Sequence, residues 1–122
     1  MIDPKSPEAA GQIVQHYGAL IAKGRMNDAQ ALWVSSDSAS KFALQLKHCH
    51  EVRLEMREPG DEEGAAGSIY IGVPVTFSGK DQNDADFRRP AEVILRRVND
   101  VPGSSEAARR WHIERIDWNV AT

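Results

Sequence analysis

The sequence has a single cysteine, no apolar run near the ~20 residues that span a bilayer, and no excess of positive charge. Cys49 alone forms no disulfide within the chain, so the fold requires no oxidising compartment. A net charge of −3 and a pI near 5.8 argue against nucleic acid or an anionic membrane as the main partner. The opening residues, MIDPKSP, lack the basic and apolar regions of a secretory signal. The expectation is therefore a cytoplasmic protein, or a periplasmic or lipid-anchored one if a leader precedes this sequence and is removed. What remains suits a globular domain. Of 122 residues, 41% are hydrophobic and 27% charged, with three tryptophans, a composition that excludes disorder. The length predicts one domain over residues 1–122, the first six or so forming an N-terminal extension, with a core that needs no staples.

Helical patterning comes first along the chain. Ser6, Pro7 and Glu8 read as a helix start: a capping hydroxyl, a ring suited to the first turn and an acid at the positive helix end. Ile13, Val14, Tyr17, Leu20 and Ile21 recur at helical spacing, and Gly24 is placed to end the helix. Asn27 or Asp28 can start a shorter helix carrying Ala29, Leu32 and Trp33. The stretch SSDSAS offers further caps, before a third short helix or an extended passage through Phe42, Leu44 and Leu46.

After Cys49 the period changes to two. Val52, Leu54 and Met56 alternate with charged residues, as in a half-buried strand. EPGDEEG reads as a polar turn, Gly67–Phe77 as a second strand and SGKDQNDAD as a loop. Ala91–Val98 forms a third strand, and Trp111–Val120 a last one. Between these two lies a long connection with a Pro102–Gly103 turn and one helical turn capped by Ser104 or Ser105. Helices first and four hairpin-linked strands afterwards predict an α+β fold, its antiparallel sheet covered by helices on one face.

Two residues interrupt the best strand. Gly72 has no side chain to pack and Pro74 no N–H to donate. They fit a sheet that bends sharply around the helices, with a bulge or sharp bend at Gly72 and with Pro74 where the ladder is already broken; they also fit an edge strand with Pro74 toward solvent. The last strand raises a related question. Trp111 and Ile113 share one parity, while Ile116, Trp118 and Val120 share the other. Either a bulge shifts the register or both sheet faces are covered, and a second copy of the chain through the outer sheet face is the natural cover.

Three stretches together, GRMNDAQALW, EGAAGSIYIGVPV and LRRVNDVPGSSEAARRWHI, resemble small bacterial proteins of the NTF2-like superfamily (the cystatin-like fold, SnoaL-like proteins included), many of them uncharacterised and many lipoproteins. The resemblance covers roughly residues 13–113. It implies a cone: a long N-terminal helix and shorter helices held in a strongly curved antiparallel sheet, commonly dimeric through that sheet. The chain departs from the leader-bearing relatives in having no lipobox. The superfamily includes ketosteroid isomerase, scytalone dehydratase and limonene epoxide hydrolase, but no stretch here matches their catalytic motifs, so no catalytic residue carries over.

Among residues with chemical potential, the HCHE stretch places His48 and His50 about 7 Å apart if extended, a spacing that two zinc ligands can use. No third or fourth ligand accompanies them, and His near a helix end is favourable anyway, so no metal and no cofactor is expected. His112 and Asp117 on the last strand are five apart and point to opposite faces, which works against an acid–base pair. The arginine doublets, Arg96–Arg97 among them, diverge in the same way and read as solvated or ion-paired. Candidate ligand-binding residues are Tyr17, Trp33, Tyr70, Glu92, Arg96 and Trp111. The function expected is non-catalytic binding of a small apolar ligand or a protein partner; the alternative is a cofactor-independent isomerase, dehydratase or hydrolase acting in the cone pocket.

Overall fold

The structure is a computed structural model that describes residues 3–99 and 103–118. Helix α1, Pro7–Ala22, begins as the sequence predicts: the Ser6 hydroxyl accepts from the Ala9 N–H at 3.2 Å, and Pro7 occupies the first turn. It ends in a Schellman motif. Gly24, at φ +73°, donates to the Ile21 carbonyl at 2.9 Å, and Arg25 donates to that of Leu20 at 2.8 Å. Helix α2, Met26–Gln30, starts one or two residues earlier than the Asn27 or Asp28 expected, without a side-chain cap. The ambiguous third segment is a helix, α3, Ser36–Gln45, with the Ser35 hydroxyl capping the Ser38 N–H. Its helical spacing buries Ala39 and Phe42.

Five strands follow among the described residues, where the sequence reading gave four. These are β1 (His50–Met56), β2 (Glu63–Ala65), β3 (Ser68–Lys80), β4 (Asp86–Val98) and β5 (His112–Trp118). All pair antiparallel in the order β1-β3-β4-β5, with β2 also on β3. The extra strand, β2, overlaps the end of the stretch read as a polar turn: a segment this short and fully exposed carries no period to detect. Strand β4 starts well before Ala91 because Pro90 does not break it. Pro90 stands opposite Thr76, two places from the Pro74–Glu92 pair and so in the same class of pair, one that exchanges no hydrogen bonds between β3 and β4. Between β4 and β5, a 3-10 turn, Ala107–Arg109, is capped by the Ser105 hydroxyl on the Ala108 N–H. Pro102 of the expected turn, and the strand end at Val120, lie outside the described residues.

The bulge read at Gly72 and the edge-strand reading do not hold, whereas Pro74 does stand where the ladder is broken. The β3–β4 register runs from Ser68–Val98 to Lys80–Asp86 with no shift, so Gly72 makes no bulge, and β3 has neighbours on both sides, so it is no edge strand. The interruption lies on the other flank. β1 ends at the Met56–Val75 pair and β2 begins at Glu63–Tyr70. Across that gap the carbonyls of Gly72 and Pro74 accept from Gly60 at 2.8 Å and Arg57 at 2.9 Å. A residue's N–H and C=O share one side in an antiparallel strand, so the N–H that Pro74 lacks would face the gap, where regular pairing has stopped. Gly72 has a separate reason: a Cβ there would stand 2.5 Å from Glu92 Oε2, whose side chain lies over it.

The parity change in β5 is a bulge. Ile113 pairs with Leu95 but Arg115 with Ile94, leaving Glu114 as the extra residue, so that Ile113, Ile116 and Trp118 all turn to the helices. The free edge of β5 is covered by the chain after α2. Val34 donates to the Ile113 carbonyl and Ile113 to that of Leu32, both at 2.8 Å. Inside, Tyr17, Trp33, Phe42, Phe77 and Trp118 form a chain of ring contacts with centroids 5.2–6.0 Å apart. At the other end of α1, the buried Trp111 donates its indole N–H to the Ser6 carbonyl at 2.9 Å, tying the helix start to β5.

Candidate functional site

Helix α1 stops at Gly24, α2 is only five residues long, and α3 leaves the interior after Phe42. Between these ends and β1 lies a crevice of about 660 Å³. Ile21, Met26, Ala43, Leu44, Leu46 and Val52 supply its apolar wall, with Ser40, Lys47, Cys49, His50 and Glu51 also bordering it. Leu44 is 66% exposed, one of two large hydrophobic side chains left open to solvent among the described residues.

The β1 side of the crevice is irregular. The register against β3 shifts between His50 and Arg53, and Glu51 takes a positive φ of 54°, an unusual backbone for a residue with a side chain. The bulge lies hard against Gly79: a Cβ there would meet the His50 carbonyl oxygen at 3.0 Å and that of Glu51 at 3.1 Å. His50 Nε2 is 2.7 Å from Asp84 Oδ1, in the β3–β4 turn, which fixes the imidazole over the lip of the crevice. That turn is itself built by Asp81, whose carboxylate accepts from the backbone of Asn83 and Ala85.

The six residues expected at one site are not brought together. Tyr17 belongs to the ring chain, edge-on to Trp33 at 6.0 Å, and burial pushes its phenol well above the usual value of 10, with the Trp33 indole opposing. Tyr70 and Glu92 lie on the outer sheet face, beside Gly72 and Arg115 in a hollow of about 580 Å³. Trp33 and Arg96 border a third hollow, of about 290 Å³, at the far end of β4, while Trp111 lines a groove with Ile13 and Leu32. Arg97 also borders the third hollow. The two side chains leave opposite faces, as expected, but at a sheet's end one hollow is reached from both. Arg97 is buried, with no ion pair among the described residues, whereas its doublet was expected to be solvated or ion-paired. Of the crevice residues, sequence reasoning singled out only the Cys49–Glu51 end of HCHE, and as a metal-like cluster; the apolar wall was missed, although a signal was present. Leu44 falls off the stripe Ala39–Phe42–Leu46 that α3 and its C-cap bury, an apolar residue with no core to enter. Among the described residues no group of three or more His, Cys, Asp or Glu could hold a metal ion, and no helix is long and apolar enough to cross a membrane.

No protein-family model matches the chain, and no curated protein matches it. Among solved structures it is similar to the 1.8 Å structure of Aln2 from a Streptomyces species, with a TM-score of 0.55 and 13% identity, over 93% of this chain and 90% of that one. Likeness at such identity carries architecture and no chemistry. Three helices against an antiparallel sheet that does not close on itself, matched over nearly the whole chain, give an α+β fold consistent with an NTF2-like cone.

Proposed function

We propose that this NTF2-like domain binds a small apolar ligand in the crevice at the cone's mouth and does not transform it. The observation that carries the reading is Leu44, held open to solvent on the wall of a predominantly apolar crevice whose volume of about 660 Å³ falls within the usual range for small-molecule sites. Apolar surface left wet in this way is stabilised by whatever apolar body covers it, at roughly 25 cal/mol per Å². The neutral fluorophore N-phenyl-1-naphthylamine tests this. It should bind saturably at one site per chain, and Leu44→Asp should abolish binding with little change in stability, since the side chain is largely exposed. No saturable binding to the native protein would refute the reading.

The cofactor-independent isomerase, dehydratase or hydrolase keeps one observation in its favour, the His50–Asp84 pair at the crevice lip, an arrangement that orients an imidazole for proton transfer. A ligand recovered chemically unchanged after long incubation with the protein separates the two readings. The proposed homodimer through the outer sheet face now rests on Tyr70, Pro74 and Ile94, half-buried there among Arg88, Glu92 and Arg96. The β5 bulge removes that strand from the argument. Light scattering that gives a monomer at micromolar concentration would end the proposal. Kinship with the small bacterial proteins, lipoproteins among them, also belongs to this reading and rests on the sequence resemblance.

A further inference from the structure

We infer that the hollow at the end of β4 is a second, separate site that takes the carboxylate of a small organic acid. It shares no lining residue with the crevice. Its cationic side is Arg96 and Arg97, with the His112 imidazole beside them, and no Asp or Glu lines it among the described residues. Arg97 is the centre of the argument. The residue is only 8% exposed, its Nε is buried with no hydrogen-bond partner among the described residues, and its guanidinium carbon lies 5.3 Å from the Trp111 ring centroid. A ring face offsets part of a buried cation's desolvation, but it accepts no hydrogen bond and carries no counter-charge. An anion seated in the hollow against the guanidinium supplies that charge.

Its neighbours are already positioned. Arg96 donates from Nε to the Ser68 hydroxyl at 3.0 Å. His112 Nδ1 lies 3.1 Å from the Arg110 carbonyl oxygen, which makes Nδ1 the donor and fixes the ring. The remaining wall selects among anions. Ala31, Val34, Val98, Ala107 and Ala108 are apolar, and Val34 is 45% exposed. An inorganic anion would leave this wall wet, whereas a carboxylate on a short apolar body covers it. The volume of about 290 Å³, near the lower end for small-molecule sites, limits that body to a single ring or short branched chain.

Benzoate and its neutral counterpart benzamide are suitable probes, followed through the indole N–H signals of Trp33 and Trp111 and the imidazole signals of His112 by NMR. Benzoate should shift them saturably and benzamide should not. Arg97→Gln should weaken benzoate binding roughly ten- to hundredfold, as for loss of a charge-assisted hydrogen bond. Because Arg97 is buried and its replacement can unfold the chain, Val34→Asp is the second arm. It adds a negative charge at an exposed position and should weaken benzoate roughly fivefold in a folded protein. Equal binding of benzoate and benzamide, no saturable shift with benzoate, or unchanged affinity in folded Val34→Asp protein would each overturn the inference.

Discussion

Alanine at three glycines of one helix and its cap should give three different answers. Gly11 and Gly18 lie in the interior of α1 on the face that packs against β1, and Gly24 ends the helix. Replacing an interior helical glycine by alanine gains about 1 kcal/mol in backbone terms. At Gly11 the new methyl would meet Met56 Cε and Pro59 Cγ, both at 3.5 Å, an ordinary contact with a flexible thioether on one side. That variant should keep the full gain of about 1 kcal/mol. At Gly18 the methyl would stand 3.1 Å from Leu54 Cβ, an atom that no rotamer change can move away. Helix or strand must shift, and overpacking costs about 1–3 kcal/mol, so the net runs from near zero to about 2 kcal/mol of destabilisation. Gly24 has nothing within 4 Å of its added Cβ but sits at φ +73°, where a side chain costs about 1–2 kcal/mol by conformation alone. Urea unfolding reads all three as midpoint shifts at constant m. If Gly18→Ala stabilises as much as Gly11→Ala, α1 does not press on Leu54, and the helix–sheet packing described above is wrong.

The raised phenol of Tyr17 makes stability depend on alkaline pH. Below about pH 10 the group is protonated in both states and contributes nothing; above it the unfolded chain ionises first, so stability should fall by roughly 1.4 kcal/mol per pH unit up to the folded-state value. Tyr17→Phe should remove that slope in denaturation measured between pH 9.5 and 11 (roughly the window in which a free phenol titrates), and an unchanged slope would contradict the burial. Gly72→Ala should be tolerated only by displacing Glu92, whose carboxylate occupies the space. Combined with Glu92→Ser its cost should vanish, a coupling of at least about 0.5 kcal/mol in a double-mutant cycle, whereas strict additivity would show that Gly72 is there for another reason.

The parts of the fold legible in the sequence are those that local chemistry decides. The Ser6 cap, the Gly24 stop, the Ser105 cap and the alternating strands each follow from a residue acting on its own backbone or on a half-buried face. The less legible parts depend on partners distant in sequence. Pro74 reads as an interruption because the side of the strand on which a neighbour pairs is invisible until the register is known, and both it and Pro90 occupy pairs that need no N–H toward the other long strand. The parity change in β5 announced either a bulge or a covered face; only the pairing with Leu95 and Ile94 decides for the bulge. The candidate site was less legible for the same reason. An aromatic residue at helical spacing is equally a wall of a pocket or a filling of it, and which one it is depends on the rings it meets from other elements.

That distinction determines where a ligand can go. The resemblance to NTF2-like proteins implies a hollow inside the cone, but here Tyr17, Trp33, Phe42, Phe77 and Trp118, contributed by two helices, the segment after α2 and two strands, occupy one another's contact surfaces. Trp118 is held further by Gln45, which accepts its indole N–H at 2.6 Å, and by the Arg89 guanidinium 4.3 Å from its ring centroid. Rings fixed from both sides do not withdraw to admit a guest without forfeiting contacts that a small apolar ligand would have to restore. Room is left where the packing of rings stops, beyond Phe42 on α3 and beyond Ile21 on α1, and that is where Leu44 stands exposed over the crevice. On the proposed reading, the same residues that stabilise the cone thus move binding from the interior to the mouth.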